Sequence, residues 1–103
     1  MIIQNNNYNG TVDFFHQYIA PEIINGNRYN SKADVYSFGI IMYEIITDSI
    51  PYPLFQSGKM PLFQFNNKVV NEGYRPEFTV PVQESLKKLI EKCWSKDLNQ
   101  RPT

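Results

Sequence analysis

The chain has 103 residues, enough for one small domain, and ten basic and ten acidic side chains give it no formal net charge. This balance offers no electrostatic basis for binding nucleic acid, and no apolar run reaches the roughly 18 residues of a membrane span. The single cysteine cannot form an internal disulfide, which favours an intracellular, cytoplasmic location.

The first part of the chain, residues 1–17, is expected to be an irregular loop. Its Asn-rich run at 5–9 is too polar to bury the apolar area that would offset the entropy of ordering. The aromatic-rich stretch 11–19 has no clear period, and we expect it to be extended. His16 is interpreted as a plain loop residue, and so are Tyr8 and Thr11, for which phosphorylation is the alternative.

Two helices are predicted next. Pro21 suits the first turn of a short helix over 21–24, which a following Asn-Gly turn ends. A longer helix is predicted from Ser31, because Ser31 and Asp34 form a capping-box variant ahead of an apolar run. Since nearly every side chain over 33–46 is apolar or aromatic, this helix should be buried on all sides. A buried strand is the alternative for its Ile-rich half.

The remainder is interpreted as a loop over 49–61, a modest helix over 62–72 and a clear amphipathic helix that begins at Pro81. Prolines at 51, 53 and 61 interrupt regular structure and make 49–61 a loop, and Gly73 ends the modest helix. In the last helix, Cys93 lies on the apolar face and is interpreted as a buried, unreactive thiol. The apolar side chains that share this face at helical spacing are Val82, Leu86, Leu89, Ile90, Cys93 and Trp94.

These elements predict a mainly α chain whose central helix needs more cover than the other helices supply. Either the chain exposes an apolar patch, which usually marks a partner surface, or it is part of a larger fold. The end of the chain at Arg101-Pro102-Thr103 favours the larger fold.

Several short motifs follow one another in a fixed order. They are Ala20-Pro21-Glu22, Asp34-Val35-Tyr36-Ser37-Phe38-Gly39, Gly73-Tyr74-Arg75-Pro76, Cys93-Trp94 and Arg101-Pro102. Taken together, the stretch from Tyr18 to Thr103 resembles the C-terminal lobe of eukaryotic protein kinases, in the tyrosine-kinase-like branch. The resemblance implies a partial, helical kinase fold: residues 1–17 end the activation segment, 18–103 form part of the lobe, and the N-lobe and last helix lie outside the chain.

The resemblance also implies structural roles for the motif residues. Ala20 and Pro21 lead into Glu22, which would form a buried ion pair with Arg101, and Trp94 would fill the space beneath this bridge. Asp34 would accept hydrogen bonds from the backbone of the catalytic loop; a carboxylate that only caps its own helix is the alternative. For the ion pair, the alternative is two solvated surface charges.

The activity implied by the resemblance is ATP- and Mg²⁺-dependent phosphorylation of protein Ser, Thr or Tyr hydroxyls by a full-length parent. The Gly-rich loop, strand Lys, His-Arg-Asp loop and Asp-Phe-Gly motif of that family do not occur in this sequence. We therefore expect no catalytic, cofactor-binding or metal-binding residue in this chain and no activity by the chain alone. Its partners would be the N-lobe and catalytic loop in cis, and a protein substrate. The alternatives are a docking or regulatory fragment and a truncated gene product.

Overall fold

The computed structural model describes residues 14–103, which fold into helices joined by irregular connections. No strand occurs in this part of the chain, so the mainly α prediction is confirmed. The predictions for Tyr8 and Thr11 concern residues outside the described range. The α-helices are α1 (Pro21–Ile24), α2 (Ser31–Thr47), α3 (Pro53–Gln56), α4 (Leu62–Asn71) and α5 (Glu84–Cys93), and two 3₁₀ helices span Phe14–Tyr18 and Leu98–Gln100.

The segment before α1 differs from its prediction. Residues 14–18 form a 3₁₀ helix instead of an extended strand, and the Ile19 amide donates to the His16 carbonyl at 3.2 Å. The aromatic composition that suggested an extended chain is a weak preference, which contacts with other elements override. The prediction of extended structure is therefore wrong for this stretch.

Helices α1 and α2 begin and end close to where the sequence places them. The cap of α2, however, is Asn30, whose Oδ1 accepts a hydrogen bond from the Ala33 amide at 3.0 Å. An Asn at this position satisfies one of the free amides of the first turn, so Ser31 becomes the first helical residue and not the cap. At the other end, Asp48 adopts a left-handed conformation with φ of 50° and stops the helix.

The main core forms where α2 packs against α5. Gly39 lies at the point of closest approach, and a Cβ built on it would lie 2.7 Å from the Cβ of Cys93. Only a residue without a side chain lets the two helices come this close. The buried residues of this core are Ala20, Ala33, Tyr36, Ile40, Tyr43, Ile90 and Trp94.

A second, smaller core lies under α3 and α4. Helix α3 falls inside the predicted loop 49–61, so that prediction is wrong over these four residues: Pro53 occupies the first turn and Phe55 is buried. Helix α5 begins at Glu84 and not at Pro81, and Leu89 lies 42% exposed, off the buried face. The buried residues of the second core are Tyr52, Phe55, Met60, Phe65 and Val69.

One side of α2 is not covered by any described part of the chain. Phe38, Ile41 and Ile45 are 56%, 41% and 75% exposed, and their spacing puts them on one side of the helix, which we call the exposed α2 face. Burial on all sides is therefore a wrong prediction within residues 14–103. The described helices cover only the opposite side of α2. The sequence of α2 is therefore apolar over more of its surface than these helices bury.

The exposed α2 face bears on how the isolated chain should behave in solution. We expect the purified 103-residue chain to associate and to unfold over a broad range, because a small core must offset the ordering entropy while an apolar face meets water. Light scattering after size exclusion and a thermal scan measure both properties. A soluble monomer with a sharp, cooperative melt would contradict this expectation.

Candidate functional site

A buried ion pair joins the two ends of the described chain. Arg101 donates from Nη1 and Nη2 to the two carboxylate oxygens of Glu22 at 2.8 and 2.9 Å, a bidentate geometry. The side chains of Arg101 and Glu22 are 0% and 8% exposed. The ion pair that the resemblance implied is thus present, and it fastens the start of α1 to the loop after the last 3₁₀ helix.

Further hydrogen bonds satisfy the rest of the Arg101 guanidinium. Its Nε donates to the Ser95 carbonyl at 2.8 Å and its Nη1 to the Lys32 carbonyl at 3.0 Å. In return, the Lys32 ammonium donates to the carbonyls of Arg101 and Pro102 at 2.7 and 3.2 Å. This cross-linking places the C-terminal segment against the first turn of α2.

The ion pair sets the ionisation of Glu22. Burial by itself raises the pKa of this carboxyl, but hydrogen bonds from Arg101 and the attraction of its charge outweigh burial and hold the pKa below its ordinary value. Glu22 is therefore charged at neutral pH. A charged carboxylate of such low exposure depends on Arg101 for its stabilisation.

The ring that faces the Arg101 guanidinium is Tyr36 and not Trp94. The guanidinium carbon of Arg101 lies 5.2 Å from the centre of the Tyr36 ring, and that of Arg75 lies 5.1 Å from it. Trp94 packs against Tyr43 and Phe78, with ring centres 5.9 and 5.7 Å apart. The space beneath the bridge, which the resemblance implied for Trp94, is thus occupied by Tyr36.

Arg75 joins the end of α4 and the end of α5 to this centre. Its Nε donates to the Trp94 carbonyl at 2.8 Å, and its Nη1 donates to the carbonyls of Val69 and Tyr74 at 3.2 and 2.7 Å. The sequence analysis assigned no role to Arg75 or Tyr36. Both lie inside recognised motifs, and their position in those motifs was the only signal that could have found them.

Asp34 lies at the rim of a cavity beside the motif that contains Ala20 and Pro21. The side chain is exposed, and a hydrogen bond to Asp34 is the main reason that the pKa of Tyr29 is raised. The partner implied for Asp34, a catalytic loop, is not part of this sequence, so that role stays a prediction. The cavity, of about 180 Å³, is lined by Tyr18, Ile19, Ala20, Ile23, Tyr29, Ala33, Asp34 and Ser37.

Two hydrogen bonds fix Tyr18, one of the residues that line this cavity. The Tyr18 hydroxyl donates to the Glu44 carboxylate at 2.7 Å, and the Ser37 hydroxyl donates to the Tyr18 carbonyl at 2.7 Å. Burial, assisted by Glu44, raises the pKa of Tyr18 to about 12. Tyr18 is therefore a neutral hydrogen-bond donor that holds the entry to α1 on α2.

The remaining candidates for chemistry have structural surroundings. Cys93 is buried at the contact of α2 and α5, and burial raises the pKa of its thiol, so little thiolate forms. His16 lies in a 3₁₀ helix beside Asn66, with its Nε2 2.6 Å from the amide oxygen. Within residues 14–103 no three His, Cys, Asp or Glu side chains are grouped as metal ligands.

The described helices include none that is both long and apolar enough to cross a membrane.

The potential site in this part of the chain is a structural junction formed by the Glu22–Arg101 pair, Tyr36 and Arg75. Its ion pair and hydrogen bonds can position backbone segments.

Comparison with known proteins agrees with this geometry. A family model described as protein tyrosine and serine/threonine kinase matches residues 3–103. The dual specificity protein kinases shkD and shkE of Dictyostelium discoideum are 42% and 40% identical over 86 residues, which is 84% of this chain. The serine/threonine-protein kinase VIK of Arabidopsis thaliana is 36% identical over 85% of it. The chain spans 11%, 12% and 19% of the lengths of these three relatives.

Proposed function

The chain belongs to the protein tyrosine and serine/threonine kinase family, and from this premise we propose that it supports phosphoryl transfer without performing it. The observation that carries the proposal is the buried Glu22–Arg101 pair, which fixes the Ala-Pro-Glu motif on the helical core. The chain would be the framework of the C-terminal lobe, and the reacting groups would come from the N-lobe and catalytic loop of a complete kinase domain.

In a complete domain the reaction is the transfer of the ATP γ-phosphate to a protein hydroxyl. A Gly-rich loop, a Lys and bound Mg²⁺ position the phosphates, and an Asp in the catalytic loop orients the hydroxyl. ATP and Mg²⁺ are thus cofactors of the complete domain in this proposal. The names of the relatives support a Ser/Thr or dual-specificity protein kinase.

The contribution of this chain is positional. Tyr18 and Glu22 attach the two ends of the segment around the Ala-Pro-Glu motif to α2 and to the loop of Arg101. Both attachments are hydrogen-bonded, the first partly buried and the second buried, so they hold the backbone in one place. Such a support matters to catalysis because a misplaced substrate can lower the rate by orders of magnitude.

We expect the purified 103-residue chain to show no MgATP-dependent phosphorylation of itself or of a general protein substrate. The physical reason is that the Gly-rich loop, the strand Lys and the Asp-Phe-Gly motif, which hold the phosphates and the metal ion in the family, do not occur in its sequence. The measurement is transfer of labelled phosphate, with a complete kinase as the positive control and EDTA as the blank. Incorporation that requires both the chain and Mg²⁺ would overturn the proposal.

A second function is favoured by the exposed α2 face, which includes Ile45 at 75% exposure. In this alternative the chain is a docking or regulatory piece that pairs with another kinase chain through this face. A pull-down from cells that make the short chain tests it, with Ile45→Ser as the variant and Lys88→Ser, on exposed α5 surface, as the control. Recovery of no kinase or scaffold protein would eliminate this function and leave the truncated gene product.

A further inference from the structure

The 3₁₀ helix Phe14–Tyr18 is attached to distant parts of the chain by two side-chain hydrogen bonds. His16 Nε2 lies 2.6 Å from Asn66 Oδ1 on α4, although the residues are 50 positions apart in sequence. Gln17 Nε2 donates to Gln56 Oε1 at the end of α3 at 3.3 Å. The two contacts join the 3₁₀ helix to α4 and α3, the two helices over the second core.

The chemistry of the first contact fixes its direction. The amide oxygen of Asn66 only accepts hydrogen bonds, so Nε2 of His16 must carry the proton. The His16 ring also meets the ring of Phe65 edge to face, with centres 6.2 Å apart. Since Phe65 is 1% exposed, the imidazole is attached to a rigid part of α4 and not to a loose surface chain.

The other side of the 3₁₀ helix is attached to α2. The Tyr18 hydroxyl donates to Glu44 and the Tyr18 carbonyl accepts from Ser37, as described above. The 3₁₀ helix therefore bridges α2 and α4, and a shift of α4 relative to α2 must either move this helix or break the bond between His16 and Asn66.

We propose that α4 is a positional support for the Phe14–Tyr18 helix and that Asn66 transmits the position of α4 to it. A ligand or partner that displaces α4 then displaces the segment that leads into the Ala-Pro-Glu motif. In a complete kinase domain this coupling acts on the placement of the protein substrate, a consequence that rests on the proposed function. The coupling itself is a property of the described residues.

The test compares substitutions in the whole 103-residue chain, fused to a soluble, histidine-free protein that counters the association expected from the exposed α2 face. Asn66→Leu removes the acceptor, Asn66→Asp keeps an acceptor oxygen, and Gln64→Leu changes an exposed residue of the same helix as the control. One readout is hydrogen exchange of the Ile19 amide, which donates to the His16 carbonyl. The second is the pair of imidazole ¹⁵N signals, which are unambiguous because the chain has one histidine.

We expect Asn66→Leu to speed exchange of the Ile19 amide about two- to tenfold, as for the loss of one hydrogen bond, while amides of α2 and α5 keep their rates. In Asn66→Asp and in Gln64→Leu, the Ile19 amide should exchange at the rate that it has in the parent chain. The ¹⁵N signals should show protonated Nε2 in the parent chain and a mixture of tautomers in Asn66→Leu.

If Asn66→Leu does not fold, His16→Phe removes the same hydrogen bond from the other side and keeps a ring against Phe65. It should give the same acceleration at Ile19. Unchanged exchange in these variants, equal acceleration in all helices, or an unprotected Ile19 amide in the parent chain would each overturn the inference. None of these readouts uses ATP or a substrate, so failure here leaves the proposed function standing, and the reverse also holds.

Discussion

Substitution of Arg101 by Ala is expected to unfold most of the chain. The change leaves the Glu22 carboxylate charged, 8% exposed and without its partner, and it removes the donor to the carbonyls of Ser95 and Lys32. Breaking one side of a buried pair costs about 3–5 kcal/mol because the remaining charge is stranded. A loss of that size exceeds what a small domain with an exposed apolar face can tolerate.

Proteolysis of single displayed molecules measures this loss of stability, because displayed chains cannot associate. The control is Lys68→Ala, which removes the pair of Lys68 with Glu72, whose side chains are 33% and 54% exposed, and should change stability by less than about 1 kcal/mol. The double variant Glu22→Ala/Arg101→Ala should lose less stability than the sum of the losses of the two single variants. Equal, small effects of Arg101→Ala and Lys68→Ala would show that the junction is not a stabilising one.

The same pair predicts an acid dependence with a definite sign. The pKa of Glu22 is lower in the folded chain than in the unfolded chain, so the unfolded state binds the proton first. The contribution of the pair is complete above the ordinary Glu pKa of about 4.3 and is lost as the pH falls through the lower folded value. In Glu22→Gln this acid-dependent part should disappear, which the same proteolysis at several pH values checks.

Substitution of Gly39 by Ala is the second prediction with a large effect. In an exposed helix this change usually stabilises by about 0.5–1 kcal/mol. Here the new Cβ would lie 2.7 Å from Cys93 Cβ and 3.4 Å from the Ile90 carbonyl oxygen, so α2 and α5 must separate. Overpacking of this kind costs about 1–3 kcal/mol, and we therefore expect Gly39→Ala to be destabilising.

The sign of this effect tests the close approach of the two helices. Cys93→Gly removes the Cβ that the new methyl group meets, so it should recover part of the loss in the Gly39→Ala background while destabilising the parent chain. Cys93→Ser keeps that Cβ and serves as the control, without recovery. A Gly39→Ala chain as stable as the parent or more stable would show that α2 and α5 are not in contact at this position.

Most of the helices could be predicted from local pattern. Pro21, the apolar run of α2 with its cap, and the 3.6-residue period of α5 each favour a helix. The one-turn helix α3 could not be predicted, because Phe55 is held by the distant ring of Phe65, with which it stacks at 4.2 Å. Its stability depends on packing between parts of the chain that are separate in sequence.

The junction was predictable only in part. The resemblance of the motifs to a kinase C-terminal lobe implied that Glu22 and Arg101 would meet. The approach of two guanidinium groups to the Tyr36 ring depends on how α2 presents its side chains to the loops of Arg75 and Arg101. No spacing rule contains that information. For α2 the sequence predicted too little cover from the other helices, but an apolar pattern does not say which side of the helix stays exposed.

The central claim, that this chain is the supporting part of a kinase domain, is tested most directly by sequencing the transcript that encodes it. The account predicts that the reading frame extends upstream through a Gly-rich loop, a strand Lys, His-Arg-Asp and Asp-Phe-Gly, since the chain spans 11% of a relative such as shkD. A frame that starts at Met1 and stops after Thr103 would contradict it and leave the docking fragment or a truncated gene product.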